Sequence, residues 1–184
     1  MTEVFNVNSR SDGDQLLESI RECQSCPLSK TRRSVVLGRG DYPAKYLFIG
    51  EGPGRSEDLL GLAFVGEAGK LMDRMLHDAR IDKTDCLFTN TVLCHPTDQT
   101  GGDNREPRPD EVIQCMENVL YIADISQAKA VVFVGLVAQK YFKKSFPTGV
   151  LIQHPAFLLG TGGNHSPYYV KNIHTLEAVR ESVE

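Results

Sequence analysis

Residues 46–54 read YLFIGEGPG, and the fold turns on how this stretch is read. Tyr46, Leu47, Phe48 and Ile49 form a short apolar run that stops at Gly50 and opens into Glu51, Gly52, Pro53 and Gly54. A continuous apolar run closed by glycine and proline reads as a buried strand, over Lys45–Ile49. The turn after it is costly to order and has no packing value of its own. It is therefore expected to stand against a ligand.

Working outward, the pattern alternates. Residues 14–22 have helical spacing (Leu16, Leu17, Ile20), and Val35–Leu37 read as a short strand. Gly66–Arg80 is an amphipathic helix with Leu71, Met72, Met75, Leu76 and Ala79 on one face. Cys86–Val92 is a second long strand. A polar Pro/Gly loop over 95–109 leads to a helix at Asp110–Ala123, with Val112, Ile113, Met116, Val119 and Leu120 inward. Ala130–Val134 is a buried strand, Leu136–Phe142 a helix, Val150–Gln153 a last core strand and Thr175–Val183 a helical tail. Strands alternating with helices predict an α/β fold, a mainly parallel sheet covered on both faces. In such sheets ligands bind beyond the carboxyl ends of the strands. Three polar groups fall there: Gly50–Gly54, Thr89–Asn90 and His154-Pro155. Their convergence on one crevice is the expectation for an active site.

The chain has 184 residues, 41% hydrophobic and 24% charged, which suits one domain with a single good core over 1–184. Residues 1–13 read as a flexible leader. There is no apolar run long enough to span a membrane and no apolar stretch of a secretory signal, so the expected location is cytoplasmic. The net charge of −4 argues against non-specific coating of nucleic acid and leaves room for a local basic groove.

Five cysteines without a signal sequence argue against a disulfide framework. Cys23 and Cys26 form a CxxC pair, while Cys94 and Cys115 stand singly on either side of the polar loop. Four thiolates can hold tetrahedral zinc or a [4Fe–4S] cluster. Structural zinc usually takes two close pairs, so this spread leans toward iron–sulfur, with zinc and unrelated thiols as the alternatives. Cys86 begins an apolar strand and reads as a buried free cysteine.

Each polar candidate has a structural reading beside a functional one. Glu51 is placed to cap the next helix or to act in a crevice. The glycine turn lacks the Lys-Ser/Thr pair of a P-loop and is not GxGxxG, so a phosphate cradle is poorly supported. Asn90 is either a turn residue or an amide whose donor and acceptor match the edge of a pyrimidine imide. Phe64 is either core or a wall for stacking a base. His154 is either structural or a stabiliser of charge facing Glu51.

Six segments, taken in order, resemble the family 4 uracil-DNA glycosylases, the iron–sulfur branch of that superfamily. They are CQSCPL, GEGPGRSEDLLGLAFVGEAGKLMDRML, FTNTVLCHP, NREPRPDEVIQC, AVVFVG and HPAFLL, running from about Cys23 to about Leu159. The resemblance implies a three-layer α/β/α sandwich and a [4Fe–4S] cluster on Cys23, Cys26, Cys94 and Cys115. It implies base excision repair: hydrolysis of the N-glycosidic bond of deoxyuridine in DNA, leaving an abasic site. Glu51 would position or activate water, Asn90 would bind the edge of the flipped uracil, Phe64 would stack on it and His154 would stabilise the departing base. Glu57 would lie near C5 and reject thymine, and backbone groups of Gly50 and Gly52 would line the pocket.

The implied partner is uracil-containing DNA, single- or double-stranded, met at the nucleoid by a monomer. Arg32, Arg33, Arg105, Arg108, Lys140, Lys143 and Lys144 are candidates to grip phosphate, and Phe157 and Leu158 to wedge into the opened helix. The chain departs from the family in three ways. LCHP stands where a KCRP-like run is usual, the segment before His154 is short, and Ala156 and GTGGNHSP replace a serine and a basic stretch. The departures bear on the DNA grip more than on the pocket. The alternative expectation is a relative with little or no turnover that binds such DNA or a protein partner.

Overall fold

The computed structural model describes residues 10–184, with side chains from Asp14 onward. Four strands form one sheet: β1 (Tyr46–Gly50), β2 (Cys86–Asn90), β3 (Ala130–Val134) and β4 (Val150–Ile152), in the order β2-β1-β3-β4. Every pairing is parallel. The helices are α1 (Arg10–Arg21), α2 (Arg55–Leu60), α3 (Glu67–Asp78), α4 (Pro109–Ser126), α5 (Leu136–Phe142), α6 (Pro155–Gly160) and α7 (Pro167–Val183).

The side-chain period of two along each strand divides the core. Tyr46, Phe48, Phe88, Val132, Val134 and Ile152 face one layer, where they meet Met72, Met75 and Leu76 of α3, Leu158 of α6 and Leu176 of α7. Leu47, Ile49, Leu87 and Phe133 face the other, against Ile20 of α1, Val112 and Val119 of α4 and Phe142 of α5. The arrangement is the expected α/β/α sandwich.

Several boundaries differ from the sequence expectation. Residues 10–13 belong to α1, so only 1–9 of the expected leader lie outside the described residues. Val35–Leu37 are buried but form no strand. Val36 N–H donates to Leu93 O, and the segment's ladder is a single antiparallel bridge, Arg39 to Phe88. Ile113 points outward, 65% exposed, because the inward stripe of α4 runs through Val112, Met116 and Val119, one position away. β4 is an edge strand, and α7 begins at Pro167, well before the expected tail. Among the described residues no helix is long and apolar enough to cross a membrane.

Candidate active site

All four strands run the same way, so their carboxyl ends share one edge. Register places Gly50 directly beside Asn90. Thr91 ties the two exits together by donating to Gly50 O through its N–H (2.8 Å) and its hydroxyl (2.7 Å). A Cβ at Gly50 would come within 2.5 Å of Asn90 Oδ1 and 2.7 Å of the Phe64 ring. Glycine here is what lets an amide and an aromatic ring close over the strand end. At β4 the chain turns at His154, which caps α6, and a Cβ at Gly135 (φ 96°) would come within 3.3 Å of the His154 Cβ.

These exits bound a cavity of about 110 Å³, lined by Glu57, Phe64, Asn90, Asn104 and His154 among others. That is roughly the liquid volume of four waters, room for one small ring. A larger groove of about 880 Å³ lies between β4 and α7, but it contains none of the strand-end residues.

Asn90 is 3% exposed, and no described residue engages its side-chain amide. His154 Nδ1 accepts the Ala156 N–H at 3.1 Å. The neutral ring therefore carries its proton on Nε2, a donor. Burial pulls the His154 pKa down to about 4, against a small opposing effect of Glu57, so the ring is neutral at ordinary pH. Phe64 stands 6.4 Å from the His154 ring and 5.4 Å from Phe88, between centroids. It is both core and pocket wall.

Phe64 holds φ at 54°, a conformation rare for a bulky residue. Glu57 secures it. One carboxylate oxygen accepts the N–H of Val65 (2.9 Å) and Gly66 (2.7 Å), and the other accepts the N–H of Gly54 (3.1 Å). Glu57 thus caps α2 and clamps the turn after Phe64. Glu57 thus lines the cavity and also has an architectural role that sequence reading missed.

Glu51 is half-buried, and no described residue bonds its carboxylate. The capping role that its position allowed belongs to Glu57. Burial, and secondly repulsion from Glu106, raise its pKa above the usual carboxylate range. A half-buried carboxylate without a partner is costly, and such groups concentrate at sites of function. Asn104 was also missed. It sits on the cavity wall with Oδ1 held by His95 Nε2 at 2.6 Å. Its position in a polar loop made it look like linker, and only the fully buried His95, at the point of departure LCHP, hinted at a packed loop.

The four expected cysteines converge. Cys23, Cys26, Cys94 and Cys115 line one small cavity with Arg32 and Asn118. Arg32 Nη1 lies 3.6 Å from Cys94 Sγ, Asn118 Nδ2 lies 3.7 Å from Cys23 Sγ, and Leu93 N–H donates to Cys115 Sγ at 3.4 Å. Burial pushes the Cys94 and Cys115 thiols up, to about 11 and about 12. Among the described residues no three His, Cys, Asp or Glu side chains form a group placed to hold a metal ion. Cys86 is buried apart from them, as expected.

Four of the seven expected phosphate-gripping cations, Arg32, Arg105, Arg108 and Lys143, are engaged within the molecule, while Arg33, Lys140 and Lys144 form no ion pair among the described residues. Arg105 forks onto the buried Glu111 (2.9 and 2.7 Å) and Asp98 (3.0 Å), folding the 95–109 loop onto α4. Arg108 pairs with Asp98, and Lys143 donates to Gly149 O. Of the expected wedge, Leu158 is fully buried core, and Phe157 is 47% exposed, edge-on to Tyr168.

A family model described as the uracil DNA glycosylase superfamily matches residues 37–176. The chain is 35% identical over 133 residues to a Type-4 uracil-DNA glycosylase of Archaeoglobus fulgidus, a match covering 72% of this chain and 64% of that protein. It is 35% identical over 125 residues to one of Thermotoga maritima, covering 68% and 62%. A Type-4 uracil-DNA glycosylase of Saccharolobus solfataricus is 35% identical over 133 residues, covering 71% of this chain and 59% of its own length. The chain thus spans less than two thirds of the length of these relatives.

Proposed function

We propose that this chain, which belongs to the uracil DNA glycosylase superfamily, hydrolyses the N-glycosidic bond of uracil in DNA and leaves an abasic site. The relatives' names support the reaction. The observation that carries it to this chain is the cavity at the exits of parallel strands, which joins Phe64, Asn90 and His154, its ring neutral with Nε2–H as donor, while the unpartnered Glu51 stands at the exit of β1, outside the residues that line the cavity.

The base must leave the stack to reach such a site. Phe64 then stacks on the ring, and the free Asn90 amide pairs with its edge. The Nε2–H of His154 donates to the uracil O2 as the N1–C1′ bond breaks and its electron pair passes to the base. A neutral donor suits this step, since it supports the anion without giving up its proton. The positive charge that develops on the sugar lies under the Glu51 carboxylate. Water held by Glu51 adds its oxygen to C1′ and passes a proton to the Glu51 carboxylate, which releases it to solvent, while the uracil anion takes a proton from solvent. Charge stabilisation by groups already in place is the main source of rate. Glu57, on the wall, excludes a 5-methyl group in this reading.

The four thiols are the candidate donors of a [4Fe–4S] cluster, whose ligands stand farther apart than those of a single ion. All four donors are sulfur on one cavity, and N–H groups of Arg32, Asn118 and Leu93 are directed at three of them. When bound, the cluster supplies four iron–thiolate links that tie the Cys23–Cys26 loop to the exit of β2 and to α4. The enzyme acts as a monomer inside the cell, on DNA at the nucleoid.

Base release tests the reading. Anaerobically purified protein is given an oligonucleotide with one uracil and matched thymine and cytosine controls, followed by hot alkali. Multiple-turnover cleavage at uracil alone is expected. No cleavage by protein that retains iron would overturn the activity and leave a binding role.

A further inference from the structure

Of the strand exits that bound the cavity, the one at β4 is built on a sheet edge. β4 pairs with β3 on one side and meets no strand on the other. On the β3 side, Gly135 N–H donates to Ile152 O at 3.0 Å. Gln153 follows, and both of its backbone groups are taken by a single side chain of α7. Asn172 Oδ1 accepts the Gln153 N–H at 3.0 Å, and Asn172 Nδ2 donates to Gln153 O at 2.9 Å. A carboxamide offers an acceptor and a donor side by side. It thereby reproduces the two bonds that a neighbouring parallel strand would make to this residue. The reverse orientation would set N–H against N–H and oxygen against oxygen, so the network fixes which way the amide points.

Asn172 is not there for packing. Tyr169, Asn172, Leu176 and Val179 are the buried positions of α7, and an apolar side chain would serve the core better than an amide at the second of them. It is 2% exposed, and its Nδ2 also lies 3.6 Å from Met75 Sδ of α3. What it holds is the peptide unit next to the site, since Gln153 O and the nitrogen of His154 belong to the same peptide. After the histidine, His154 O accepts the N–H groups of Phe157 (3.0 Å) and Leu158 (3.3 Å). The backbone is thus fixed on both sides of His154, and the direction of its Nε2–H follows from it. Among the described residues none of α7 lines the cavity, so the helix acts on the site only through this peptide.

We propose that Asn172 is a positioning residue for His154: by standing in for a fifth strand at the β4 edge, it aims the imidazole at the departing base. This rests on His154 being the donor to that base. An amide that merely covers a sheet edge would bond Gln153 in the same way, and the test separates the two roles.

The full chain is compared with Asn172→Ala and Asn172→Asp. The aspartate keeps the shape and the acceptor for Gln153 N–H but sets an oxygen against Gln153 O, and it decides if the alanine variant does not fold. The first readout is the nitrogen-15 NMR signal of the His154 ring at neutral pH. Wild type is expected to show the Nε2–H tautomer, and the variants a signal moved toward that of a free ring averaging both tautomers. The second is single-turnover release of uracil and of 5-fluorouracil, whose anion is more stable and needs less support while fluorine adds little bulk at C5. Uracil release is expected to slow about 10- to 100-fold, as for small misplacements of a reacting group, with KM held and a much smaller loss on 5-fluorouracil. In a His154→Gln background Asn172→Ala should cost nothing further, because the two residues act as one unit. An unaltered ring signal with unaltered rates would overturn the proposal. So would equal losses on both bases that persist in the His154→Gln background, the result expected of edge cover alone. The two readings fail separately. A variant-dependent ring signal in a protein whose wild type releases no uracil sinks only the activity, and uracil release that the variants leave intact sinks only the positioning role.

Discussion

Glu51 and His154 are both held away from their ordinary protonation behaviour by burial, with pKa shifts of opposite sign that each favour the neutral form. Burial raises the Glu51 pKa, with Glu106 adding to the shift, so the ionised form is reached only above the usual carboxylate range. The His154 pKa falls to about 4. If ionised Glu51 supports the sugar cation, kcat/KM rises with pH through one ionisation above that of an ordinary glutamate. Glu51→Gln removes this limb and slows release by on the order of 100-fold or more. His154 contributes no limb between pH 5 and 8, because it is already neutral there. A limb near pH 6.5 that vanished in His154→Gln would contradict the neutral-donor role. Stability gives an independent check. Between pH 4 and 6.5 the unfolded chain binds a proton at His154 that the folded chain does not, so this group makes stability rise with pH across that window. Asn90→Ala, which removes an amide that no described residue uses, is expected to keep the melting temperature and lose most of the activity.

The turn carrying Phe64 depends on how α3 starts. A Cβ at Gly69 would lie 1.8 Å from Phe64 O, a distance that cannot be accommodated without movement of the backbone. Helix propensity by itself would make Gly69→Ala favourable by about 1 kcal/mol. The clash outweighs it, and a net loss of about 1–3 kcal/mol in a urea melt is expected, as for overpacking elsewhere. KM should rise as well if Phe64 stacks on the base as proposed, since its ring is the displaced group. Glu57→Gln tests the other side of the same turn. It keeps one acceptor oxygen and turns the other into a donor facing an N–H, so the turn loosens, by about 1–3 kcal/mol for the unsatisfied group. Thymine release by this variant would separate exclusion at C5 from simple support of Phe64.

The cysteine cavity joins segments that the sheet does not connect: the loop after α1, the exit of β2 and α4. A cluster bound there would cross-link the N-terminal segment to the layer that carries the 95–109 loop, and that loop supplies Asn104 to the cavity wall. Cys94→Ala is therefore expected to lower iron content and melting temperature together, with activity falling as the loop loosens. Soluble, colourless and fully active protein would refute the cross-linking role. Binding to DNA should weaken only modestly with added salt, because Arg105, Arg108 and Lys143 are bound within the molecule. A steep salt slope would mean that more phosphates are contacted than the free cations allow.

The alternation of strands and helices, the parallel sheet and the convergence of Gly50, Asn90 and His154 were legible in the chain, because periodicity and strand polarity are local properties that order elements without knowledge of their partners. The cysteines were legible as a set expected to meet, and Cys23, Cys26, Cys94 and Cys115 line one cavity. Which polar groups are occupied was decided only by the tertiary structure. Glu51 and Glu57 lie six residues apart and look alike in sequence, yet Glu57 accepts three N–H groups while Glu51 has none. Arg105 read as a free cation until Glu111 was seen buried against it. Asn104 read as linker until His95 was seen holding it. A polar side chain's role depends on which partner reaches it first. Where that partner comes from another element or a closing loop, only the folded chain brings the two together.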